Sequence, residues 1–206
     1  MTADKEVGMA APAPEYSFDP LIDLDGLWTV ELAQRYLPIE GMPPARYEAV
    51  EGRLRTSPRE GSANSWAAGE LYALLRSPAR AAGHAMYTAL NVRTGLSGWI
   101  EPDLVLLREP VRQQTWIESA QVLCPIEIIS PSSFHRDRID KPAICAAMGI
   151  PYYMHVEIRP NDVLIELLRL DGGHWTLQAQ ARSGQVFQSE EPFAFSFDPA
   201  ELLEPR

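Results

Sequence analysis

The stretch EPDLVLL, residues 101–107, and the stretch CPIEIISPSS, residues 124–133, decide the fold of this chain. Their apolar runs, 104–107 and 126–129, have the length and β-branched content of buried strands. Asp103 stands at the edge of the first run, and Glu127 lies within the second. Because a buried, unpaired carboxylate is energetically costly, Glu127 needs a cation, a hydrogen-bond network or a metal facing it.

The segment that follows, FHRDRIDKPAICAAMGIPYYMHVE (134–157), supplies a candidate partner in Lys141. The chain has eighteen basic residues, and Lys5 and Lys141 are its only lysines. Carboxylates on two adjacent strands, such as Asp103 and Glu127, can converge on a divalent cation with oxygen ligands, as Mg²⁺ prefers. An ammonium beside them would hold a water or a developing negative charge. Asp137 precedes Lys141 by four residues on the same helical face and could orient it.

Each candidate also has a purely structural explanation. Asp137 and Lys141 could form a surface ion pair, Glu127 could pair with an arginine, and Asp103 could be a strand-edge turn residue after a proline. Glu48 and Glu51 could be solvated strand residues. A serine hydrolase could use Ser130, Ser132 and His135, which are residues of the right type. The segment that holds them, however, lacks the GxSxG motif of a serine nucleophile.

The net charge of −10 is unevenly distributed. Residues 1–26 carry −5, residues 27–156 carry 0 and residues 157–206 carry −5. The neutral central part has room for a local basic face, so a nucleic-acid partner stays open although no basic run is present. The two cysteines, Cys124 and Cys145, lack zinc-ligand spacing and are expected to be core thiols.

Length and pattern predict one α/β domain over residues 21–206, preceded by a disordered tail over residues 1–20. No apolar run approaches the roughly 20 residues of a membrane span, and no leader pattern is present, so a cytoplasmic chain without membrane contact is expected. Periodicity predicts helices at 62–76, stopped by Pro78, and at 136–148, with Thr29 capping a shorter one that ends at Tyr36. Strands or hairpins are expected at 46–58, 84–93, 99–107, around Glu127, and at 151–157, 163–170, 174–182 and 192–197, the last three extending the sheet in antiparallel fashion.

Five motifs together resemble the Uma-type family of putative restriction endonucleases, a branch of the PD-(D/E)XK nuclease superfamily. They are RYEAVEGRL (46–54), EPDLVLL, IEIISPSS (126–133), the spaced RDRIDK (136–141) and GIPYYMHVE (149–157), and the similarity runs from about residue 27 to residue 203. The resemblance implies a restriction-endonuclease-like fold with a mixed central sheet flanked by helices. It also implies that Asp103 and Glu127 bind Mg²⁺, for which Mn²⁺ can substitute.

In this family the lysine usual two residues after the glutamate is missing, and here that position is Ile129. The resemblance places the lysine on the following helix, at Lys141, and matches Glu48 to an acid that assists the site. The chain departs from the family's His, Tyr and Trp with Asn64, Cys145 and Met154. Pro142 can begin a helix at Lys141 and thereby redirect that side chain.

The leading hypothesis is therefore a Mg²⁺-dependent DNA endonuclease whose catalytic residues are Asp103, Glu127, Lys141 and Glu48. A homodimer is expected from the resemblance, because a double-strand cutter needs two active sites related by two-fold symmetry. Two alternatives are a catalytically silent nucleic-acid- or partner-binding module with the same fold, and a hydrolase using Ser130 or Ser132.

Overall fold

The computed structural model describes residues 18–57 and 60–205 of the chain, and its strands form sheets of five, six and two strands. The helices are α1 (Pro20–Asp23), α2 (Val30–Tyr36), α3 (Ser62–Ala81) and α4 (Lys141–Ala147). The strands are β1 (Arg46–Val50), β2 (Arg53–Ser57), β3 (Ala85–Thr88), β4 (Asn91–Gly95), β5 (Gly98–Ile100), β6 (Leu104–Leu107), β7 (Trp116–Glu118), β8 (Val122–Ile129), β9 (Tyr152–Arg159), β10 (Asp162–Asp171), β11 (His174–Arg182), β12 (Phe187–Ser189) and β13 (Phe195–Phe197). Short 3₁₀ turns cover Ser119–Gln121 and Pro199–Leu202.

Both larger sheets are mixed. The six-stranded sheet has the order β11-β10-β9-β8-β6-β3, in which β8 and β9 are parallel. The five-stranded sheet has the order β2-β1-β5-β4-β7, in which β4 and β7 are parallel. The other neighbouring strands of these two sheets pair antiparallel. With helices packed on the strands, this confirms the predicted α/β class with a mixed central sheet.

The segments 84–93 and 99–107, each predicted as one strand, are both divided between the two sheets. Ala89, with a φ of 49°, interrupts the first segment between β3 and β4. Pro102 interrupts the second between β5 and β6, because proline has no N–H to donate to a ladder. Asp103 consequently lies at the junction of the two sheets, directly before β6.

The expectation that Pro78 ends the long helix was wrong, because α3 continues through it to Ala81. Proline removes one intrahelical hydrogen bond and costs roughly 3 kcal/mol in a helix interior. The last turn nevertheless packs Ala79, which is fully buried, into the core beside Leu71 and Leu75. Burial of this apolar face stabilises a turn that the local sequence disfavours.

The predicted helix at 136–148 consists of a π-helical turn, Arg136–Asp140, followed by α4. The N–H of Lys141 donates to the carbonyl of Arg136, five residues earlier. The ring of Pro142 would clash with the carbonyl four residues before it in a regular α-helix, and the wider turn avoids this contact. The helix therefore runs through the Lys-Pro pair and does not begin at it.

Three smaller predictions have clear outcomes. The hairpin 46–58 forms as β1 and β2, joined by Glu51 and Gly52 with positive φ angles of 51° and 75°. Thr29 caps α2, its hydroxyl accepting from the Leu32 N–H at 3.3 Å. Residues 192–197 do not extend the six-stranded sheet, because β13 pairs with β12 in a separate sheet whose phenylalanines pack into the α3 core.

The predicted disordered tail, residues 1–20, lies outside the described residues except for 18–20. In that described part Asp19 accepts from the N–H of Leu21 and caps α1. The Phe18 ring lies 5.4 Å from the Tyr36 ring, centroid to centroid.

Candidate active site

Asp103 is held at the sheet junction by contacts on both of its carboxylate oxygens. Its Oδ2 accepts from the backbone N–H of Ile128 at 2.7 Å, and its Oδ1 contacts the guanidinium of Arg46. The side chain is 6% exposed. Burial pushes the pKa of Asp103 up, but a hydrogen bond with Glu60 and the charge of Arg46 outweigh it, so the pKa lies below its ordinary value. Asp103 is therefore ionised near neutral pH.

Glu127 lies in the middle of β8, which is buried along its whole length. Leu104 pairs with Ile126, so Asp103 and Glu127, one residue further on each strand, face each other across the ladder. Glu127 is 2% exposed, and its Oε1 accepts from the ammonium of Lys141 at 2.7 Å. Burial raises the pKa of Glu127 well above its ordinary value, and Lys141 offsets this only in part. A further cation near this carboxylate would therefore lower its pKa.

Lys141 is 3% exposed and lies among three carboxylates. Its Nζ is 2.7 Å from Glu127 Oε1, 2.9 Å from Glu48 Oε1 and 3.4 Å from Asp137 Oδ1. Burial alone would lower the pKa of Lys141, but these carboxylates together raise it above its ordinary value. The surface ion pair weighed as an alternative for Asp137 and Lys141 is wrong, because both side chains are buried.

Glu48 joins the site from β1 of the other sheet. It is 4% exposed, and its Oε1 accepts from the backbone N–H of Glu101 at 2.8 Å as well as contacting Lys141. Its Oε2 lies 3.7 Å from Nε of Arg136. The structure thus brings together the four residues that the sequence analysis named, while Glu51 stays exposed at the hairpin turn.

The π-helical turn orients Lys141. In a regular α-helix the Asp137 carbonyl would accept from the Lys141 N–H, which here donates to Arg136 instead. The freed carbonyl accepts from the Tyr153 hydroxyl at 3.2 Å and from Nε2 of His155 at 3.0 Å, so Nε2 carries the hydrogen. Burial lowers the pKa of His155, which keeps the ring neutral at pH 7. Strand β9 therefore supports the segment that carries the lysine.

Sequence reasoning missed three charged residues of the site. Arg46 contacts Glu60 at 3.0 Å and Glu101 at 3.8 Å in addition to Asp103. Burial, followed by the hydrogen bond to Asp103, raises the pKa of Glu60 to about 8. Burial also raises the pKa of Glu101 to about 7. The alternation of strand residues could have signalled Arg46, two before Glu48, and Glu101, two before Asp103; Glu60 carries no such signal.

A cleft of about 410 Å³ contains these groups, and the formal charge of its described lining residues is unbalanced. Among the described residues, three basic side chains line it: Arg46, Arg136 and Lys141. Six acidic side chains line it: Glu48, Glu60, Glu101, Asp103, Glu127 and Asp137. Like charges this close repel in a partly dry site, and they take up protons or attract a cation. Burial is the main cause of the raised pKa values of Glu127 and Glu60, and the negative charge of Asp103 raises them further.

The donor set fits a hard divalent cation, because ionised carboxylates are the oxygen ligands that Mg²⁺ takes in proteins. Within residues 18–57 and 60–205, however, no three acidic, histidine or cysteine side chains already surround a common metal position. Arg46 on Asp103 and Lys141 on Glu127 hold the carboxylates in this arrangement. A metal would add to, or displace, these internal cations.

The departures from the family pattern have defined places. Asn64 donates from Nδ2 to the carbonyl of Ile128 at 3.1 Å and so ties the start of α3 to β8 beside the cleft. Cys145 is fully buried one turn after Lys141, and burial raises its thiol pKa. Met154 packs in the α3 core. Cys145 and Met154 fill core space, whereas Asn64 lines the cleft.

The serine hydrolase alternative finds no support in the geometry. Ser130 Oγ lies 3.0 Å from the hydroxyls of both Ser132 and Ser133. The imidazole of His135 is largely exposed and lies 3.5 Å from Asp140. A serine nucleophile requires a hydrogen bond to a base such as histidine. Among the described residues, the hydroxyls of Ser130, Ser132 and Ser133 bond to one another and not to a histidine.

Comparison with solved structures identifies the class of fold. The crystal structure of a putative nuclease from Anabaena variabilis matches with a TM-score of 0.60 at 16% identity, over 78% of this chain and 92% of that one. The fold is thus shared with a protein described as a nuclease. Among curated proteins, no significant match is found.

Residues 33–201 match the Uma2 family, whose description is "Putative restriction endonuclease". The chain belongs to this family, which confirms the resemblance carried by its motifs. Family and fold together indicate a restriction-endonuclease-like nuclease acting on nucleic acid. In the part of the chain that the structure describes, no helix has the length and apolar character to cross a bilayer.

Proposed function

We propose that the chain is a Mg²⁺-dependent DNA endonuclease that hydrolyses phosphodiester bonds in the cleft between the two sheets. The observation that carries this proposal is the buried contact of Glu127 with Lys141, opposite Asp103 on the neighbouring strand. A phosphodiester hydrolase needs a group that binds the phosphate and activates water, and a cation that stabilises the developing charge.

Asp103 and Glu127 are the residues that would hold the metal. When bound, the metal polarises the phosphate and lowers the pKa of a water. Asp103 is suited to this by its low pKa, and Glu127 by a raised pKa that a nearby cation would bring down. The Ile128 N–H fixes one oxygen of Asp103 and so limits its motion.

Lys141 would serve the reaction and not metal binding. It donates to Glu127 at 2.7 Å and forms an ion pair with Glu48 at 2.9 Å, and these two contacts fix its ammonium in the cleft. From there it can orient the attacking water or stabilise charge on the phosphate. Glu48 assists by holding the ammonium and by accepting from the Glu101 N–H.

The test is cleavage of supercoiled plasmid DNA by the purified chain, with Mg²⁺, with Mn²⁺ and with chelator. Cleavage is expected with either metal and should stop with chelator. Asp103→Asn keeps the side-chain shape but removes the charge, so it should reduce cleavage by several orders of magnitude. Asp162→Asn, which changes a partly exposed carboxylate of β10 paired with Arg182, is the matched control and should cut normally.

A catalytically silent module of the same fold is the second candidate, and one observation favours it. Arg46 and Lys141 already neutralise the two proposed metal ligands, and no preformed metal position exists among the described residues. A silent module would bind DNA equally well with Mg²⁺ or chelator and would not cut it. That result would refute the endonuclease proposal.

A further inference from the structure

A second recess adjoins the candidate active site and has a different character. It measures about 330 Å³ and lies between α2 and the five-stranded sheet. Its lining includes three aromatic side chains, two amides and one carboxylate: Tyr47, Trp99, Trp116, Gln34, Asn91 and Glu101. The nuclease chemistry proposed above uses none of the aromatic residues, so the recess needs an explanation of its own.

The aromatic side chains of this recess are firmly held. Trp99 is 1% exposed, and its Nε1 donates to the Tyr47 carbonyl at 2.6 Å. Trp116 meets Trp99 edge-on, with ring centroids 5.5 Å apart and an interplanar angle of 75°. The Arg93 guanidinium lies 5.8 Å from the centroid of the Trp116 ring. Trp116, the more exposed of the two tryptophans, thus has its ring held in place on an edge strand, with the Arg93 guanidinium over one side of it.

The recess is connected to the catalytic cleft. Glu101 lines both of them, only two residues from Asp103. A third depression of about 420 Å³ touches the recess at Ala45 and touches the cleft at Arg46 and Glu60. The recess, the depression and the cleft thus adjoin one another through these shared lining residues, and an extended ligand could pass from the aromatic recess to the carboxylates.

We infer that the aromatic recess binds an unpaired nucleobase of the substrate strand, next to the phosphate that lies in the cleft. This rests on the proposed endonuclease function. Base faces stack on aromatic side chains, and amides such as those of Gln34 and Asn91 can donate to and accept from a base edge. Both faces of a base inside a duplex are already stacked, so only an unpaired or flipped base can enter a recess walled by buried rings. The substrate is therefore single-stranded DNA, or duplex DNA with a base turned out.

The test measures binding of a short fluorescent single-stranded oligonucleotide to the full chain by anisotropy. Ca²⁺ replaces Mg²⁺ in the assay, because it takes the same oxygen ligands with looser geometry. Trp116→Ala should weaken binding by roughly 5- to 150-fold, the range for loss of one base stack. Trp116→Phe keeps an aromatic ring and should keep most of the affinity. Trp66→Ala, which removes a 39% exposed tryptophan of α3 that lines none of the three recesses, should bind like the wild type.

A measurement on the unaltered chain covers the case in which Trp116→Ala does not fold. A set of oligonucleotides of the same length, each abasic at a different position, is bound to the wild-type chain. At one position the missing base should weaken binding by the factor expected for Trp116→Ala with the intact strand. Equal binding of the abasic and intact strands would overturn the inference, as would equal losses in Trp116→Ala and Trp66→Ala. If the wild type cuts DNA but shows no such base dependence, the recess assignment fails and the endonuclease proposal stands. A wild type that neither binds nor cuts overturns both.

Discussion

Replacing Lys141 with methionine should destabilise the folded chain strongly. The substitution keeps the apolar stem but removes the ammonium that lies 2.7, 2.9 and 3.4 Å from three carboxylates. Breaking a buried ion pair by removing one partner costs about 3–5 kcal/mol, because the remaining charge is left uncompensated. For a domain of this size the loss corresponds to a fall of about 6–20 °C in the melting temperature.

The loss of stability in Lys141→Met should depend on pH, and Glu127 determines whether that loss grows or shrinks as the pH rises. Burial already raises the pKa of Glu127 above its ordinary 4.5, so the folded state holds that proton more tightly than the unfolded state. The contribution of this group to stability is therefore full below about 4.5 and falls as the pH rises. Removing Lys141 raises the pKa further. The deficit of the Lys141→Met variant should accordingly grow as the pH rises through and above the pKa of Glu127 in the wild-type folded state.

Urea denaturation followed by circular dichroism, at several pH values, measures this deficit. Arg55→Met is the control, since the Arg55–Asp140 pair at 3.0 Å is largely exposed and such pairs contribute at most about 1 kcal/mol. Adding Glu127→Gln to Lys141→Met should recover part of the stability, because it removes one uncompensated charge. A Lys141→Met variant as stable as the wild type, or a deficit independent of pH, would refute the electrostatic account of the site.

Three further predictions concern metal binding, its pH dependence and the oligomeric state. Glu127→Gln should weaken both Mg²⁺ binding, measured by calorimetry, and DNA cleavage. Lys141→Ala should bind Mg²⁺ as well as the wild type or slightly better, yet lose cleavage. Lys141→Arg should not restore cleavage. Because the pKa values of Glu60 and Glu101 are raised to about 8 and about 7, Mg²⁺ affinity should increase as the pH rises through that range, and protons should be released on binding. Calorimetric titrations at several pH values, in buffers of different ionisation enthalpy, measure both quantities. An affinity that does not change with pH would contradict this prediction. Light scattering at micromolar concentration should give twice the 23.0 kDa chain mass if the proposed homodimer forms, and a monomer mass would count against it.

The grouping of the candidate site could be predicted because its residues interrupt strong local patterns. Glu127 stands in an otherwise apolar run of β8, and Asp103 follows a proline that ends one strand and precedes another. Lys141 is one of two lysines in the chain. Such residues are conspicuous in sequence because burial of their charge is costly, and the structure buries all three.

The features that sequence could not supply depend on packing between distant segments. Pro78 indicates the end of a helix in the sequence, yet α3 continues beyond it because burial of Ala79 stabilises the last turn. Glu60 reaches Asp103 only because α3 and the β1–β2 hairpin are both packed against the junction of the sheets. The periodicity of 136–148 indicates a helix but not its π-helical turn, because the change from an i→i−4 to an i→i−5 hydrogen bond is confined to a single turn.

The position of the lysine on a helix changes what the active site depends on. A lysine on β8, two residues after Glu127, would be fixed by the strand ladder, but that position is the buried Ile129. Lys141 is fixed instead by the register of the helical segment, and that register is shifted by the wide turn that Pro142 requires. The carbonyl that this turn releases is satisfied by side chains of β9, the strand parallel to β8. The lysine and the glutamate are therefore aligned through two neighbouring strands of one sheet, which explains how a cation supplied from a helix can still lie 2.7 Å from a strand carboxylate.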